Sequence, residues 1–171
     1  MERRSMLQSL LALVASLMLT RRGHAAEGAT APDFPPISKS EQQWKALLEP
    51  ARFQILFEEA TERPFSSPLN NEKHAGTFVC AACLLPLFDS DHKFDSGTGW
   101  PSFTQPIAGH MGTKRDFKLV LPRTEYHCAR CEGHQGHVFN DGPAPRGERW
   151  CNNGLALLFV AEGEALPPLR S

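Results

Sequence analysis

The sequence predicts a mostly-β or α+β domain, and three observations support that fold class. Two segments with helical spacing of apolar residues come first, ahead of residue 61. From Gly76 onward, short runs rich in β-forming residues alternate with Gly, Pro and Asp turns. The 171 residues, 41% of them hydrophobic, suffice for one domain with its own core.

The first helix is predicted by a capping box in Ser38-Lys39-Ser40-Glu41, where a hydroxyl precedes a carboxylate by three residues. Apolar residues then follow on one helical face: Trp44, Leu47 and Leu48. Pro50 is predicted to end or kink this helix, because proline lacks the amide proton that a helix interior needs. A second helix is predicted over residues 52–60, with apolar residues at helical spacing: Phe53, Leu56 and Phe57.

Five short runs are predicted to form strands, because β-branched and aromatic residues dominate them: GTFVC, FKLVL, TEYHC, GHVF and LALLFV. No internal repeat of fixed period accompanies them, apart from a doubled C-x-x-C. Residues 162–171 contain Pro167-Pro168 and are predicted to form a flexible tail.

Residues 1–25 have the pattern of an export signal peptide. Arg3-Arg4 stand near the start, an apolar stretch runs from Met6 to Leu19, and Gly23 and Ala25 are the small residues of a cleavage site. The stretch is too short to cross a bilayer core of ~30 Å comfortably, which disfavours a membrane anchor. The paired arginines also resemble a twin-arginine signal, so that route and general secretion both stay open. We therefore expect an exported protein, located in the periplasm.

The charge of the chain disfavours a nucleic-acid partner. Without residues 1–25, the chain carries 14 basic against 18 acidic residues, a net charge of -4. Such a chain has little to offer a phosphate backbone, since nucleic-acid binding depends on Lys and Arg.

The segment 26–36 is rich in Ala and Pro and is predicted to be a linker. Once the signal is cleaved, no stable membrane insertion is expected.

Four of the five cysteines form two C-x-x-C pairs, each next to a predicted strand: Cys80, Cys83, Cys128 and Cys131. A tight turn with cysteines three apart directs both sulfurs to one point, and two such turns complete a tetrahedron around zinc. Two disulfides are the alternative in an exported protein, but bridges in such short loops constrain the unfolded chain little. Because all four ligands would be sulfur, the predicted zinc is structural.

Cys151 is the one remaining thiol. An unpaired cysteine is most often a small buried side chain, and for this residue alone that alternative stays open. Its sequence neighbours are polar, however: Arg149, Asn152 and Asn153. Upstream, His134 and His137 flank a glycine in a segment that is poor core material. A cysteine with histidines near it is the nucleophile-and-acid arrangement of thiol enzymes.

Several motifs resemble those of the type B methionine sulfoxide reductases and occur in the order typical of that family: ERPF at 62–65, KFDSGTGWPSF at 93–103, RTE at 123–125, HQGHVFNDGP at 134–143 and RWCNNGLAL at 149–157. The resemblance implies a catalytic domain over 37–161, built of two antiparallel sheets with N-terminal helices and a zinc opposite the active site. It also implies reduction of the R epimer of methionine sulfoxide in proteins and peptides.

The resemblance assigns catalytic roles to five residues. Cys151 matches the catalytic cysteine, which becomes a sulfenic acid when the sulfoxide is reduced. His134 and His137 match the histidines near the sulfoxide oxygen, which they would protonate directly or through water. Asn153 and Arg149 match polar neighbours of the nucleophile.

Substrate contact is assigned to Trp100, whose face would receive the methyl group, and to Phe139. The sequence departs from the common family pattern at three positions. Trp150 stands where tyrosine is usual, Asn152 where an aliphatic residue is usual, and Gly154 where serine is common. These differences bear on fine substrate preference.

The family's usual resolving cysteine stands in S-G-C-G-W, where this chain has Thr98 in the third position. Threonine cannot form a disulfide, so the resemblance implies a one-cysteine enzyme. An external thiol, from a thioredoxin-like protein or another reductant, would then recycle it.

The sequence leaves two rival functions open. In a zinc-ribbon binding module, Cys151 would be a core residue and the two histidines would lie on the surface. In a peroxide scavenger, the same cysteine would form a sulfenic acid from a different substrate.

Overall fold

The computed structural model describes residues 34–118 and 122–171. The predicted signal peptide at 1–25 and most of the predicted linker at 26–36 lie outside the described residues. Within the part described, no helix combines the length and apolarity that crossing a membrane requires.

The first helix, α1 (Glu41–Leu47), begins with the predicted type of capping box, displaced by two residues. Ser40 is the N-cap: its hydroxyl accepts from the amide of Gln43, whose side chain accepts from the Ser40 amide at 2.8 Å. Trp44 and Leu48 are buried as predicted, but Leu47 is half-exposed, because the helix ends there and Leu48 already has an extended backbone.

The second helix, α2 (Pro50–Glu58), begins at the proline that was predicted to end the first. Proline fits the first helical position, where its missing amide proton is not needed. Phe53 and Leu56 are buried as expected, and Phe57 stacks on Trp44 with ring centroids 5.0 Å apart.

Nine short strands follow in the described residues and confirm the mostly-β fold class: β1 (Gly76–Cys80), β2 (Pro86–Asp89), β3 (Lys93–Phe94), β4 (Ser102–Phe103), β5 (Met111–Asp116), β6 (Arg123–Cys128), β7 (His134–Phe139), β8 (Arg149–Asn152) and β9 (Leu157–Ala161). They form two antiparallel sheets. The smaller has the order β2-β1-β9, and the larger has the order β3-β4-β8-β7-β6-β5.

The strand prediction for FKLVL was wrong in the part that the structure describes. Phe117 and Lys118 follow β5 outside any strand, and residues 119–121 lie outside the described residues. The polar segment MGTKRD forms β5 instead, because it pairs along its whole length with β6 at the edge of the larger sheet. Edge strands often carry charged side chains, so the apolar pattern does not reveal them.

Aromatic rings join the two sheets into one core. Phe78 and Phe88 come from the smaller sheet, whereas Phe103 and Tyr126 come from the larger. The rings of Phe88 and Phe103 stack with centroids 4.0 Å apart, and Phe78 meets Phe103 edge-on at 5.0 Å. This packing fixes the larger sheet against the smaller one and leaves β7 and β8 adjacent near its centre.

Candidate active site and metal centre

The two C-x-x-C pairs meet in one buried cluster, whose four Sγ atoms lie within 4.8 Å of one another. The Sγ atoms of Cys80 and Cys131 are 3.6 Å apart, and those of Cys83 and Cys128 are 3.5 Å apart. All four are free thiols, so the alternative of two disulfides is not formed. Four sulfurs at ~2.3 Å from one zinc ion would be ~3.8 Å from each other. The spacing and the all-sulfur donor set therefore fit zinc.

The metal centre lies where the two sheets meet. Cys80 ends β1 in the smaller sheet, and Cys128 ends β6 in the larger sheet. Gln135, on β7, donates its side-chain amide to Cys80 Sγ at 3.6 Å. The carbonyl of Gln135 accepts the backbone amide of Asn153 at 2.8 Å. Buried contacts thus connect the metal centre to the segment that follows Cys151.

Cys151 lies on β8 between two neighbouring strands of the larger sheet. Ser102 of β4 and His137 of β7 are its direct partners in the antiparallel register. Residues that face each other in this way project from the same side of the sheet with Cβ atoms ~4.5–5.5 Å apart, so the imidazole lies beside the thiol.

A cavity of about 110 Å³ opens at this thiol. It is lined by Thr61, Trp100, Arg123, Gly136, His137, Phe139, Cys151, Asn152 and Asn153. The structure therefore brings together five of the residues that the sequence singled out for catalysis or substrate contact. A larger cleft, about 810 Å³, lies between the two helices and the segment 129–132, and shares no lining residue with this cavity. The chemistry of the lining, rather than volume, places the candidate site at Cys151.

His137 is held by a carboxylate at the end of β5. Its Nε2 lies 2.8 Å from Asp116 Oδ2, and Arg123 contacts the same oxygen at 2.6 Å. Hydrogen bonds from the Lys118 amide and His137 hold the pKa of Asp116 well below its usual range, so its carboxylate accepts. Burial lowers the pKa of His137, although Asp116 opposes this. The ring is therefore neutral near pH 7, with its proton on Nε2 and Nδ1 free to accept.

His134 does not line this cavity; it is buried behind His137, with the two ring centroids 5.4 Å apart. Its Nδ1 donates to Glu125 Oε1 at 2.7 Å, and His127 approaches the other carboxylate oxygen at 3.1 Å. Burial acts to raise the pKa of Glu125, but the two imidazole contacts outweigh it and lower that pKa to about 2. The structure thus places one predicted histidine at the cavity and the other one layer behind it.

Arg149 is two residues before Cys151 on β8 and forms a two-pronged ion pair with Asp141, at 2.8 and 2.9 Å. Its guanidinium also lies over the ring of Phe139, 4.4 Å from the centroid. Burial raises the pKa of the Cys151 thiol, and the positive charge of Arg149 and the hydroxyl of Thr98 only partly offset this. Cys151 is therefore mainly a thiol at neutral pH.

Trp100 is positioned by Glu62, whose carbonyl accepts the indole Nε1–H at 3.2 Å. The amide of Glu62 donates to the side chain of Asn153 at 3.2 Å, and its carboxylate accepts the backbone amides of Gly154 and Leu155. One acidic residue therefore joins the indole to the segment after Cys151. Asn153 uses both ends of its amide in such contacts, since its Nδ2 also donates to the Gln135 carbonyl.

The structure shows what surrounds each of the three residues that depart from the family pattern. Asn152 is fully buried and accepts from the Tyr126 hydroxyl at 2.8 Å. The indole of Trp150 donates to Glu148 at 3.2 Å. At Gly154 a side chain would meet Ser67 Oγ at 1.9 Å, so serine could not be accommodated there without movement.

Four acidic residues organise the site but were not among the residues predicted from the sequence: Glu62, Asp116, Glu125 and Asp141. Three of them lie inside the quoted motifs ERPF, RTE and HQGHVFNDGP, so their place in these motifs could have indicated them. Asp116 lies in none of them and meets His137 only because β5 pairs with β6 and β6 with β7.

Comparison with known proteins identifies the family of this chain. The family description "SelR domain" matches residues 48–161. The peptide methionine sulfoxide reductase MsrB of Bradyrhizobium diazoefficiens is 53% identical over 122 residues, which cover 71% of this chain and 88% of the relative. The MsrB of Pseudomonas putida is 50% identical, covering 72% and 93%, and that of Methanosarcina barkeri is 47% identical, covering 75% and 91%.

Proposed function

Because the chain belongs to the SelR-domain family of MsrB peptide methionine sulfoxide reductases, we propose that it reduces the R epimer of methionine sulfoxide through Cys151. It is an oxidoreductase that acts on methionine sulfoxide in peptides or proteins. The observation that carries the detailed proposal is the cavity in which one thiol, one neutral imidazole and one indole meet: Cys151, His137 and Trp100.

The proposed reaction transfers one oxygen atom between two sulfurs. Cys151 Sγ attacks the sulfoxide sulfur and forms a sulfur–sulfur bond; the oxygen then moves to Sγ as this bond and the original sulfur–oxygen bond break, which releases methionine and leaves Cys151 as a sulfenic acid. The methionine sulfur gains two electrons and the cysteine sulfur loses two. The proton of the thiol ends on the transferred oxygen, so the step needs no further reactant.

His137 is suited to carry that proton. Because Nε2 donates to Asp116, Nδ1 of the neutral ring is an acceptor and can take the proton from the neighbouring thiol. The resulting imidazolium is stabilised by the Asp116 carboxylate and can then protonate the sulfoxide oxygen. General acid–base catalysis of this kind typically contributes ~10²–10⁴-fold.

A low thiol pKa is not required by this proposal. A raised thiol pKa lowers the thiolate fraction, but it also makes the thiolate a stronger nucleophile, so the two effects on the rate partly cancel. Burial of Cys151 therefore costs little compared with the gain from a positioned proton donor.

Trp100 would select the epimer. Its indole lines the cavity beside Cys151, and the Glu62 carbonyl holds its Nε1–H at 3.2 Å. A sulfoxide sulfur carries a methyl group, an oxygen and the longer chain. If the methyl group lies on the indole and the oxygen lies near His137, Cys151 can attack the sulfur of only one of the two epimers.

An external thiol would regenerate the enzyme. Thr98 occupies the position of the usual resolving cysteine, and its hydroxyl lies 2.8 Å from that of Ser96. The other four cysteines are drawn into the metal cluster. Export, as residues 1–25 predict, would require a reductant that works in an oxidising compartment.

The decisive test is single turnover of the zinc-loaded protein on separate R and S epimers of a dabsylated methionine sulfoxide. We expect one methionine per protein from the R epimer alone, without added thiol. Peptide mapping of the product should find Cys151 trapped by a sulfenic-acid reagent and no disulfide to it. Turnover of the S epimer, or of neither epimer by folded protein, would contradict the proposal, and the second result would favour a binding module.

We expect His137→Gln to lower the single-turnover rate at least tenfold, because glutamine can neither accept the thiol proton nor deliver it to the oxygen. His74→Gln is a matched control, since His74 is 87% exposed and pairs with Glu72 on the surface. Stopped-flow measurement of methionine formation would compare them. Equal rates in the two variants would remove His137 from the reaction.

A further inference from the structure

The most exposed large apolar side chain in the described residues is that of Phe65, at 72%. Its backbone also has φ of +63°, a left-handed conformation that bulky residues rarely adopt. Residues other than glycine that are held in this left-handed conformation cluster at active sites and ligand-binding sites.

The strain is maintained by close packing of two loops. The Phe65 amide donates to the Gly99 carbonyl at 2.7 Å, and Asn70 donates to the same carbonyl at 3.0 Å. At Gly99, where φ is +94°, a side chain would lie 2.8 Å from the Phe65 nitrogen and from Pro64 Cβ. The loop 97–100 and the segment 62–65 are thus locked together without space for movement.

This locking places Phe65 beside the loop that carries Trp100 to the catalytic cavity, and a Cβ added at Gly99 would lie 3.0 Å from Phe65 Cδ2. Gly99 precedes Trp100, which lines the cavity, so standard backbone dimensions put the Phe65 nitrogen within about 6 Å of the Trp100 Cα. Thr61, directly before the segment 62–65, lines the cavity too. A polypeptide whose methionine side chain enters the cavity must pass a rim of which this segment is part.

We propose that Phe65 is an apolar contact for the substrate polypeptide, which selects methionine sulfoxides with a large apolar residue nearby in sequence. Residues in an extended chain are spaced ~3.3 Å apart, so a side chain two to four positions from the sulfoxide reaches the ring. This inference rests on the proposed function and adds a sequence preference to it.

The test uses two peptides of equal length, each with a single methionine R-sulfoxide. In the first peptide, leucine occupies the second and third positions before and after the sulfoxide; in the second peptide, serine occupies those positions. We expect the parent protein to prefer the leucine peptide about tenfold in kcat/KM, because a Leu-sized contact removes apolar surface from water. Phe65→Asn should reduce the preference to about twofold or less, since asparagine tolerates the left-handed backbone but lacks the ring. Phe65→Tyr should retain it.

Leu166→Asn is the matched control, because Leu166 is also exposed but lies on the C-terminal tail, lining a depression beside β1 and β9. It should keep the full preference for the leucine peptide. A preference that survives in Phe65→Asn, or is absent from the parent, would overturn the inference while leaving the proposed function intact. Failure of the parent to reduce either peptide would instead overturn the proposed function.

Discussion

Replacing Cys151 with serine should abolish methionine formation, with a fall in the single-turnover rate of at least about 10⁴-fold. Losses of that size or larger accompany removal of a covalent nucleophile from other enzymes. A serine hydroxyl is a far weaker nucleophile than a thiolate and cannot become a sulfenic acid. The neighbouring imidazole and indole would remain in place, yet neither could accept the oxygen.

The measurement is stopped-flow or quench-flow turnover with the R epimer, together with thermal unfolding of both proteins. Cys151 is only partly buried, so the substitution should change the melting temperature by no more than a few degrees. Thr98→Ser is a useful control, because it removes a methyl group close to the same thiol but keeps the hydroxyl that contacts it. Retention of a hundredth or more of the parent rate by Cys151→Ser would exclude this cysteine as the nucleophile.

Removal of the metal should have the second large effect, this time on folding. The cluster joins the turn after β1 to the turn after β6, so one bound ion would cross-link the two sheets. Apparent binding free energies of structural zinc in small peptides are ~10–16 kcal/mol. Whole domains have only ~5–15 kcal/mol of stability, so the metal-free protein should be largely unfolded at 25 °C.

Cys128→Ser tests this expectation without a chelator, because it removes one ligand from the buried cluster. We expect less than one zinc per chain by elemental analysis and a melting transition lowered by at least about 15 °C or lost. Restoring zinc to chelated parent protein should restore the transition, whereas the variant should not recover. A variant that melts within about 5 °C of the parent would show that the metal is dispensable for the fold.

Activity should fall together with structure when the metal is lost. Gln135 contacts Cys80 Sγ on one side and holds Asn153 on the other, two residues beyond the nucleophile. Loosening the cluster therefore releases a segment that helps to form the cavity, even though no metal ligand lines it.

Features of the fold that depend on contacts between residues close in sequence were well predicted. The capping box and the two helices depend on contacts within four residues, and GTFVC, TEYHC and GHVF lie within β1, β6 and β7. Errors arose at boundaries and at edges: Pro50 begins α2, residues 154–156 form a 3₁₀ turn ahead of β9, and polar β5 replaces the predicted FKLVL strand.

The two histidines illustrate what spacing alone could not resolve. His134 and His137 are three apart on one strand, so they would project from opposite faces of a regular strand. A register irregularity between Tyr126 and His127 accompanies their pairing with β6, and the two rings meet edge-on. Only the packed structure shows that His137 lines the cavity and that His134 contacts Glu125 behind it.

The sequence by itself determined the metal centre, the nucleophile candidate and the fold class. Two C-x-x-C turns direct four sulfurs to one point by local geometry, and only Cys151 then remains as a thiol. Tertiary structure decided which partners act on that thiol and its imidazole. Asp116 reaches His137 across 21 positions of chain, and Glu62 reaches Gly154 across 92. Strand register and loop packing set such contacts, and no local pattern encodes them.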